Sequence, residues 1–208
     1  MTVLDFDHAR RAVARHARVT PLLHDAFLSE RVGREVWLKV ESLQPTGSFK
    51  VRGAASRLEA LDEDERRRGV VACSSGNHGR AVAYVAGRLG VKATVYVPAW
   101  VDRVKLQGIR RAGASAEPRG ETFDESEALA MEAAHRQGRT YVSAYDDPWV
   151  IAGQGTVALE VLQQWEETVR STTEGGRAGA PTGEPGPAAF IVSLSGGGLA
   201  GGIAEALA

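Results

Sequence analysis

Three short segments of this 208-residue chain hold residues whose types and spacing can do chemistry. Residues 44–54 read Q-P-T-G-S-F-K-V-R-G-A. Pro45 and Gly47 shape a turn, Ser48 is placed to cap a helix, and Lys50 falls in that helix's first turn. A cation there meets the partial positive charge of the helix start, so a solvated lysine gains nothing from the placement. A lysine engaged in a Schiff base does gain, because its reactivity depends on a lowered pKa. Residues 74–79 read S-S-G-N-H-G. Small hydroxyls, an amide and main-chain N–H groups at a helix start suit an anion such as a carboxylate. The same residues also make an ordinary polar turn with a helix cap. Residues 195–202 read S-G-G-G-L-A-G-G. Backbone without side chains can curl round a phosphate, with the positive end of the next helix behind it. Residues 196–201 also match the dinucleotide pattern G-x-G-x-x-G, which needs a further strand and an acidic residue about twenty positions on. Seven residues follow Gly201, so a mononucleotide-sized phosphate ligand fits better.

The elements that position these segments alternate. Short β-rich runs fall at 35–40, 70–73, 93–97, 115–118, 140–142 and 188–194, and helical patterns at 53–61, 78–89, 102–112, 123–136 and 153–169. In the second of these, Ala81, Val82, Val85, Ala86 and Leu89 recur at helical spacing before Gly90 ends the run. Strand and helix at this rhythm imply parallel strands with crossover helices, hence an α/β fold. The N-terminus reads as an amphipathic first helix. Residues 62–68, a charge run of mixed sign, read as a solvated helix end or loop. Residues 171–187, rich in Gly, Pro and Thr, read as a surface loop.

Composition excludes several classes. With 25 basic and 26 acidic residues the net charge is −1, and no basic stripe points to nucleic acid or a membrane surface. No apolar run is long enough to span a bilayer. The single cysteine, Cys73, cannot form an internal disulfide or a cysteine metal cluster, which fits a reducing cytoplasm. It ends an apolar run and reads as a small buried side chain. No metal site is expected.

Four stretches, in order, carry a family resemblance: T-G-S-F-K-V-R-G-A at 46–54, S-S-G-N-H-G at 74–79, D-P-W-V-I-A-G-Q-G-T at 147–156 and S-G-G-G-L at 195–199. Together they resemble the fold-type-II pyridoxal-phosphate enzymes, the serine and threonine dehydratases and serine racemase. The resemblance covers essentially the whole chain. It implies a tryptophan-synthase-β-like α/β fold of two three-layer αβα open-sheet domains. A large cofactor domain is built from 1–52 and 148–208 and is incomplete in this chain. A small mobile domain spans 53–147.

For the site, the resemblance implies that Lys50 carries pyridoxal 5'-phosphate, Phe49 packs beside its ring, and Asn77 bonds its phenolic oxygen. Ser195, Gly196, Gly197, Gly198 and Leu199 bind its phosphate, and Ser74, Ser75, Asn77 and His78 surround the substrate carboxylate. Ser195 stands where many members have glycine. Residues 147–156 close the site from below and link the domains. The activity implied is β-elimination from a hydroxy-amino acid such as L-threonine or L-serine, giving a 2-oxo acid and ammonia. Lys50 is the base, and Ser75 is placed as a second acid on the other face. That leaves a racemase, or a dehydratase acting on hydroxyaspartate or a hydroxyectoine breakdown product, as alternatives. The family continues well past the phosphate loop, and this chain has no identifiable partner for the pyridine nitrogen. An inactive truncated form is therefore the non-enzyme alternative, and a homo-oligomer is expected of the complete protein.

Overall fold

The computed structural model describes residues 3–175 and 186–208. Helix α1 (Phe6–His16) starts at Asp5, whose side chain accepts the N–H of His8 at 2.8 Å, and buries Ala9, Ala12, Val13 and His16. Strands β1 (Leu22–His24) and β2 (Trp37–Lys39) form an antiparallel pair in register Leu22↔Lys39, joined through helix α2 (Ala26–Val32). The sequence pattern reads a single strand at 35–40 and overlooks β1 and α2, which have three and seven residues. A 3₁₀ turn at Glu41–Leu43 leads to helix α3 (Lys50–Glu59). The charge run becomes the exposed helix α4 (Glu63–Arg68), opened by a capping box between Asp62 and Glu65.

Four strands then pair in parallel: β3 (Val70–Cys73), β4 (Ala93–Val97), β5 (Ser115–Pro118) and β6 (Thr140–Tyr141), in the order β5-β4-β3-β6. Helices α5 (Asn77–Leu89), α6 (Arg103–Arg111) and α7 (Phe123–Arg136) connect them. Alternation along β3 sorts the layers. Val70 and Ala72 pack with Val82 and Val85 of α5, while Val71 and Cys73 pack with Ala130 and Ala134 of α7. The sheet is thus covered on both faces, as its fully buried β3 requires. Cys73 is buried, as read, and burial pushes its thiol up to about 12.

Helix α8 (Pro148–Gly175) packs on α1, α3 and the last helix α9 (Gly198–Leu207). Glycine allows the close crossing of α3 and α8: a Cβ on Gly153 would stand 2.5 Å from the carbonyl oxygen of Arg52. The crossing buries an ionic cluster. Arg52 bonds Glu41 through Nε and Nη2, each at 2.7 Å, and Glu160 through Nη1 at 2.8 Å. Lys39 Nζ meets the same Glu160 at 2.6 Å.

Two expectations are corrected. Residues 188–194 are not a strand. Phe190 and Val192 turn inward and Ile191 is fully exposed, an alternation like that of a strand, but among the described residues no strand lies beside them to complete a ladder. The expected loop at 171–187 is helical as far as Gly175, because α8 runs on; residues 176–185 lie outside the described residues.

Candidate active site

Parallel strands bring all their C-terminal ends to one edge of the sheet. From β3 the chain moves outward through α5, β4 and α6 to β5, then α7 carries it back across the other face to β6 beside β3. The strand order therefore reverses between β3 and β6, and open α/β sheets bind ligands in that crevice. Residues 74–79 leave β3 there, and residues 142–145 leave β6.

Residues 142–145 act as a hub for all three chemistry-bearing segments. Val142 N–H donates to Val71 O at 2.8 Å, extending the ladder beyond β6. Val142 O lies 3.0 Å from Nε2 of His78, and Ala144 O accepts from Lys50 Nζ at 2.7 Å. The Tyr145 ring lies against Gly196, and Tyr145 O would be 2.8 Å from a Cβ on Gly198. Ser143 Oγ accepts the N–H of Asp146 at 3.0 Å, which shapes the turn. Asp147 then caps α8, accepting from Trp149 and Val150 N–H at 2.8 and 3.1 Å. Its other oxygen stands 3.0 Å from Arg57 Nε of α3, an ion pair without hydrogen-bond alignment.

Lys50 is the first residue of α3 and is half-buried. Desolvation lowers its pKa from the ordinary lysine value, so its neutral amine is more accessible than that of a surface lysine. Its Nζ is 5.3 Å from the centre of the Phe49 ring. Phe49 and Leu199 both pack against the buried cluster of Val157, Ala158 and Ile203, which ties the first segment to the third. Ser48 does not cap α3: Phe49 occupies the cap position, and buried Ser48 Oγ has no hydrogen-bond partner among the described residues. A buried hydroxyl without a hydrogen bond, two residues from Lys50, leaves an open donor and acceptor beside the amine.

At the end of β3, buried Ser74 accepts the N–H of Gly76 at 3.1 Å. Ser75 is half-buried and Asn77, first in α5, is exposed; neither side chain makes a hydrogen bond among the described residues. His78 is 4% exposed. Burial first, and then the charge of nearby Lys50, pull its pKa down to about 4, so the ring is neutral. With Nε2–H donated to Val142 O, Nδ1 is a bare, buried acceptor. A neutral ring in that state cannot donate to a carboxylate; the main-chain N–H of His78, in the first turn of α5, can.

The glycine segment ends at the N-cap of α9, Gly197, with φ 87° and no capping side chain. The first-turn N–H groups of α9 are left for an anion. Nothing lies within 4 Å of where a Cβ on Gly197 would be, so the loop is walled by Tyr145 on one side and open on the other. The structure therefore gathers Lys50, Phe49, His78, Gly196, Gly198 and Leu199 into one network. It leaves the side chains of Ser75, Asn77 and Ser195 without a hydrogen bond among the described residues. Ala144 and Tyr145 escaped the sequence reading. Their one signal there was position, directly after a parallel strand. Among the described residues no cluster of His, Cys, Asp and Glu could hold a metal ion, and no helix is long and apolar enough to cross a membrane.

Known proteins match this chain over most of its length. A family model described as pyridoxal-phosphate dependent enzyme matches residues 13–208. The L-threonine ammonia-lyase of Thermotoga maritima is 36% identical over 207 residues, covering 100% of this chain and 47% of that protein. The crystal structure of T.th. threonine deaminase superposes with TM-score 0.79 at 39% identity, over 97% of this chain and 59% of that one. Maize serine racemase superposes with TM-score 0.82 at 29% identity, over 99% and 57%. The chain spans about half, or less, of the length of the curated relatives it matches.

Proposed function

This chain belongs to the pyridoxal-phosphate dependent enzymes, and from that membership we propose that it supplies the cofactor lysine and the phosphate loop of an ammonia-lyase converting L-threonine or L-serine to a 2-oxo acid and ammonia. The observation that carries the reading is Lys50, a half-buried, desolvated lysine bonded to Ala144 O in the crevice where the strand order reverses.

The residues present fit the cofactor. The amine that would hold it has a lowered pKa, a buried hydroxyl at Ser48 has no hydrogen-bond partner among the described residues, and the N-terminus of α9 opens behind side-chain-free backbone. Bound pyridoxal phosphate supplies an electron sink for negative charge developing at the substrate α-carbon. In this reading Lys50 holds the group and, with its amine released, takes the α-proton. Phe49 would flank the cofactor's ring and Asn77 would bond its phenolic oxygen. The backbone of Ser195, Gly196, Gly197, Gly198 and Leu199 takes the phosphate. Ser74, Ser75 and Asn77 orient the substrate carboxylate with the main-chain N–H of His78. The His78 ring fixes residues 142–144, and so the carbonyl that aims Lys50.

The same reading divides the chain into a cofactor domain, 1–52 with 148–208, and a smaller domain, 53–147, that closes over substrate. It places the protein in the cytoplasm, assembled from like subunits, with a small amino acid as its ligand. Racemisation is the second reading, favoured by one observation: the Ser75 hydroxyl has no hydrogen-bond partner among the described residues and is available as an acid. The test is a panel of L- and D-hydroxy-amino acids given to the protein carrying this chain, with 2-oxo acid and enantiomer measured. Product from L-threonine or L-serine supports the lyase. Turnover confined to other amino acids removes it.

A further inference from the structure

We propose that Tyr145 is the positioning residue of the phosphate loop: its ring, laid on the Gly196 backbone, holds residues 195–198 in the shape that receives an anion. The inference rests on the cofactor reading of that loop and adds what sets its conformation.

The loop cannot hold itself. Among the described residues no hydrogen bond involves Ser195 or Gly196, both exposed, and the first internal bond is Gly201 N–H to Gly197 O at 2.8 Å, already inside α9. Support comes from Tyr145. A Cβ on Gly196 would lie closer than 3.0 Å to three carbons of the Tyr145 ring, a separation real side chains do not show. Gly196 does not have positive φ, so its own backbone would accept alanine; the ring is what forbids it. At Gly198 the obstacle is different: a Cβ there would meet the Tyr145 carbonyl oxygen at 2.8 Å and its Cα at 3.0 Å. Tyr145 follows Ala144, whose carbonyl holds Lys50. One dipeptide thus fixes both the amine and the anion loop, and so the span between the two ends of the cofactor. The Tyr145 hydroxyl makes no hydrogen bond among the described residues, so the ring alone carries the role.

The two collisions give a test that does not depend on turnover. Pyridoxal phosphate is titrated, by absorbance and by quenching of tryptophan fluorescence, into the protein with Tyr145→Phe, Tyr145→Ala, Gly196→Ala, Gly198→Ala and the two double variants with Tyr145→Ala. Thermal melting of each apo form checks folding. Loss of a preorganising contact weakens binding by ~10-fold. The expected result is near-unaltered affinity for Tyr145→Phe, ~10-fold weakening for Tyr145→Ala, and a clearly larger weakening for Gly196→Ala, whose Cβ collides with the ring as well as losing the contact. Adding Tyr145→Ala to Gly196→Ala restores affinity to the level of Tyr145→Ala alone. Adding it to Gly198→Ala restores nothing, because the obstructing atoms are backbone. Unchanged affinity in Tyr145→Ala, or no rescue of Gly196→Ala, overturns the inference while leaving the cofactor reading intact. Should Tyr145→Ala not fold, Gly196→Ala reads the same contact from the other side, and full affinity there also overturns it. Failure of the unaltered protein to take up pyridoxal phosphate at all overturns the cofactor reading and this inference with it.

Discussion

Arg52, two residues after Lys50 on α3, has 0% of its surface exposed. Its guanidinium grips Glu41 with two parallel bonds of 2.7 Å, reaches Glu160 at 2.8 Å and Thr156 Oγ1 at 3.3 Å. Burial works against its charge, but the bonds to Glu41 and Glu160 more than offset that and hold its pKa above the ordinary arginine value. Glu160 pays a desolvation cost too, yet its pKa is lowered by Arg52 and Lys39. Arg52→Met keeps the apolar bulk, takes the guanidinium from both carboxylates and strands Glu41. Glu160 retains Lys39 at 2.6 Å; among the described residues Glu41 retains only the hydroxyl of Thr20 and the amide of Gln44. Removing one partner of a buried ion pair costs about 3–5 kcal/mol, because the remaining charge stays buried. That is a large part of a domain's stability. Urea unfolding followed by circular dichroism should show this loss. Adding Glu41→Gln should return at least about 1 kcal/mol by removing the stranded charge. A loss under about 1 kcal/mol for Arg52→Met, or no recovery in the double variant, would refute the view that this cluster anchors α3 and with it Lys50.

Three further outcomes are expected. Folding keeps His78 neutral, so as pH falls below 6.5 the unfolded chain takes up the proton first; stability should drop until about pH 4, where both states are protonated. The upper limit of that drop is about 3 kcal/mol, and His78→Gln should flatten the pH profile of urea midpoints across this window; parallel profiles would contradict it. Ser75→Ala should abolish any racemisation and largely spare elimination from the L-substrate, measured by chiral chromatography beside 2-oxo acid release; equal loss of both means Ser75 only holds the carboxylate. Gly153→Ala, whose Cβ would stand 2.5 Å from Arg52 O, should force α3 and α8 apart and cost about 1–3 kcal/mol in thermal unfolding; a neutral result would mean the crossing is looser than described.

The main frame of the fold was readable because its signals are local. Strand β3 is four buried residues in a row, α5 repeats its apolar positions and stops at Gly90, and the three chemistry-bearing segments all stand at helix starts. The failures share a cause: they depend on partners distant in sequence. Residues 188–194 have a strand's alternation, but a strand exists only through a neighbour's ladder. Ser48 has the right type for a cap, yet Phe49 adopts helical angles and takes the cap position. Arg52 looked like part of a motif, and its ionic cluster assembles only when the turn after β2 and the middle of α8 meet α3. Tyr145 gave no signal beyond its place after a parallel strand, because its contact, Gly196, lies 51 positions away. For His78 the residue type was suggestive, but which nitrogen is engaged, and hence which chemistry remains, follows from Val142 O alone.

The central claim is that Lys50 holds the cofactor, and its most direct test is covalent trapping. The protein carrying this chain is incubated with pyridoxal phosphate, reduced with borohydride, digested and read by mass spectrometry, alongside Lys50→Ala. The account predicts one modified site, on the peptide containing Lys50, and loss of both the visible absorption band and the trapped mass in Lys50→Ala. Label on Lys39, Lys92 or Lys105, or trapping undiminished in Lys50→Ala, would contradict it.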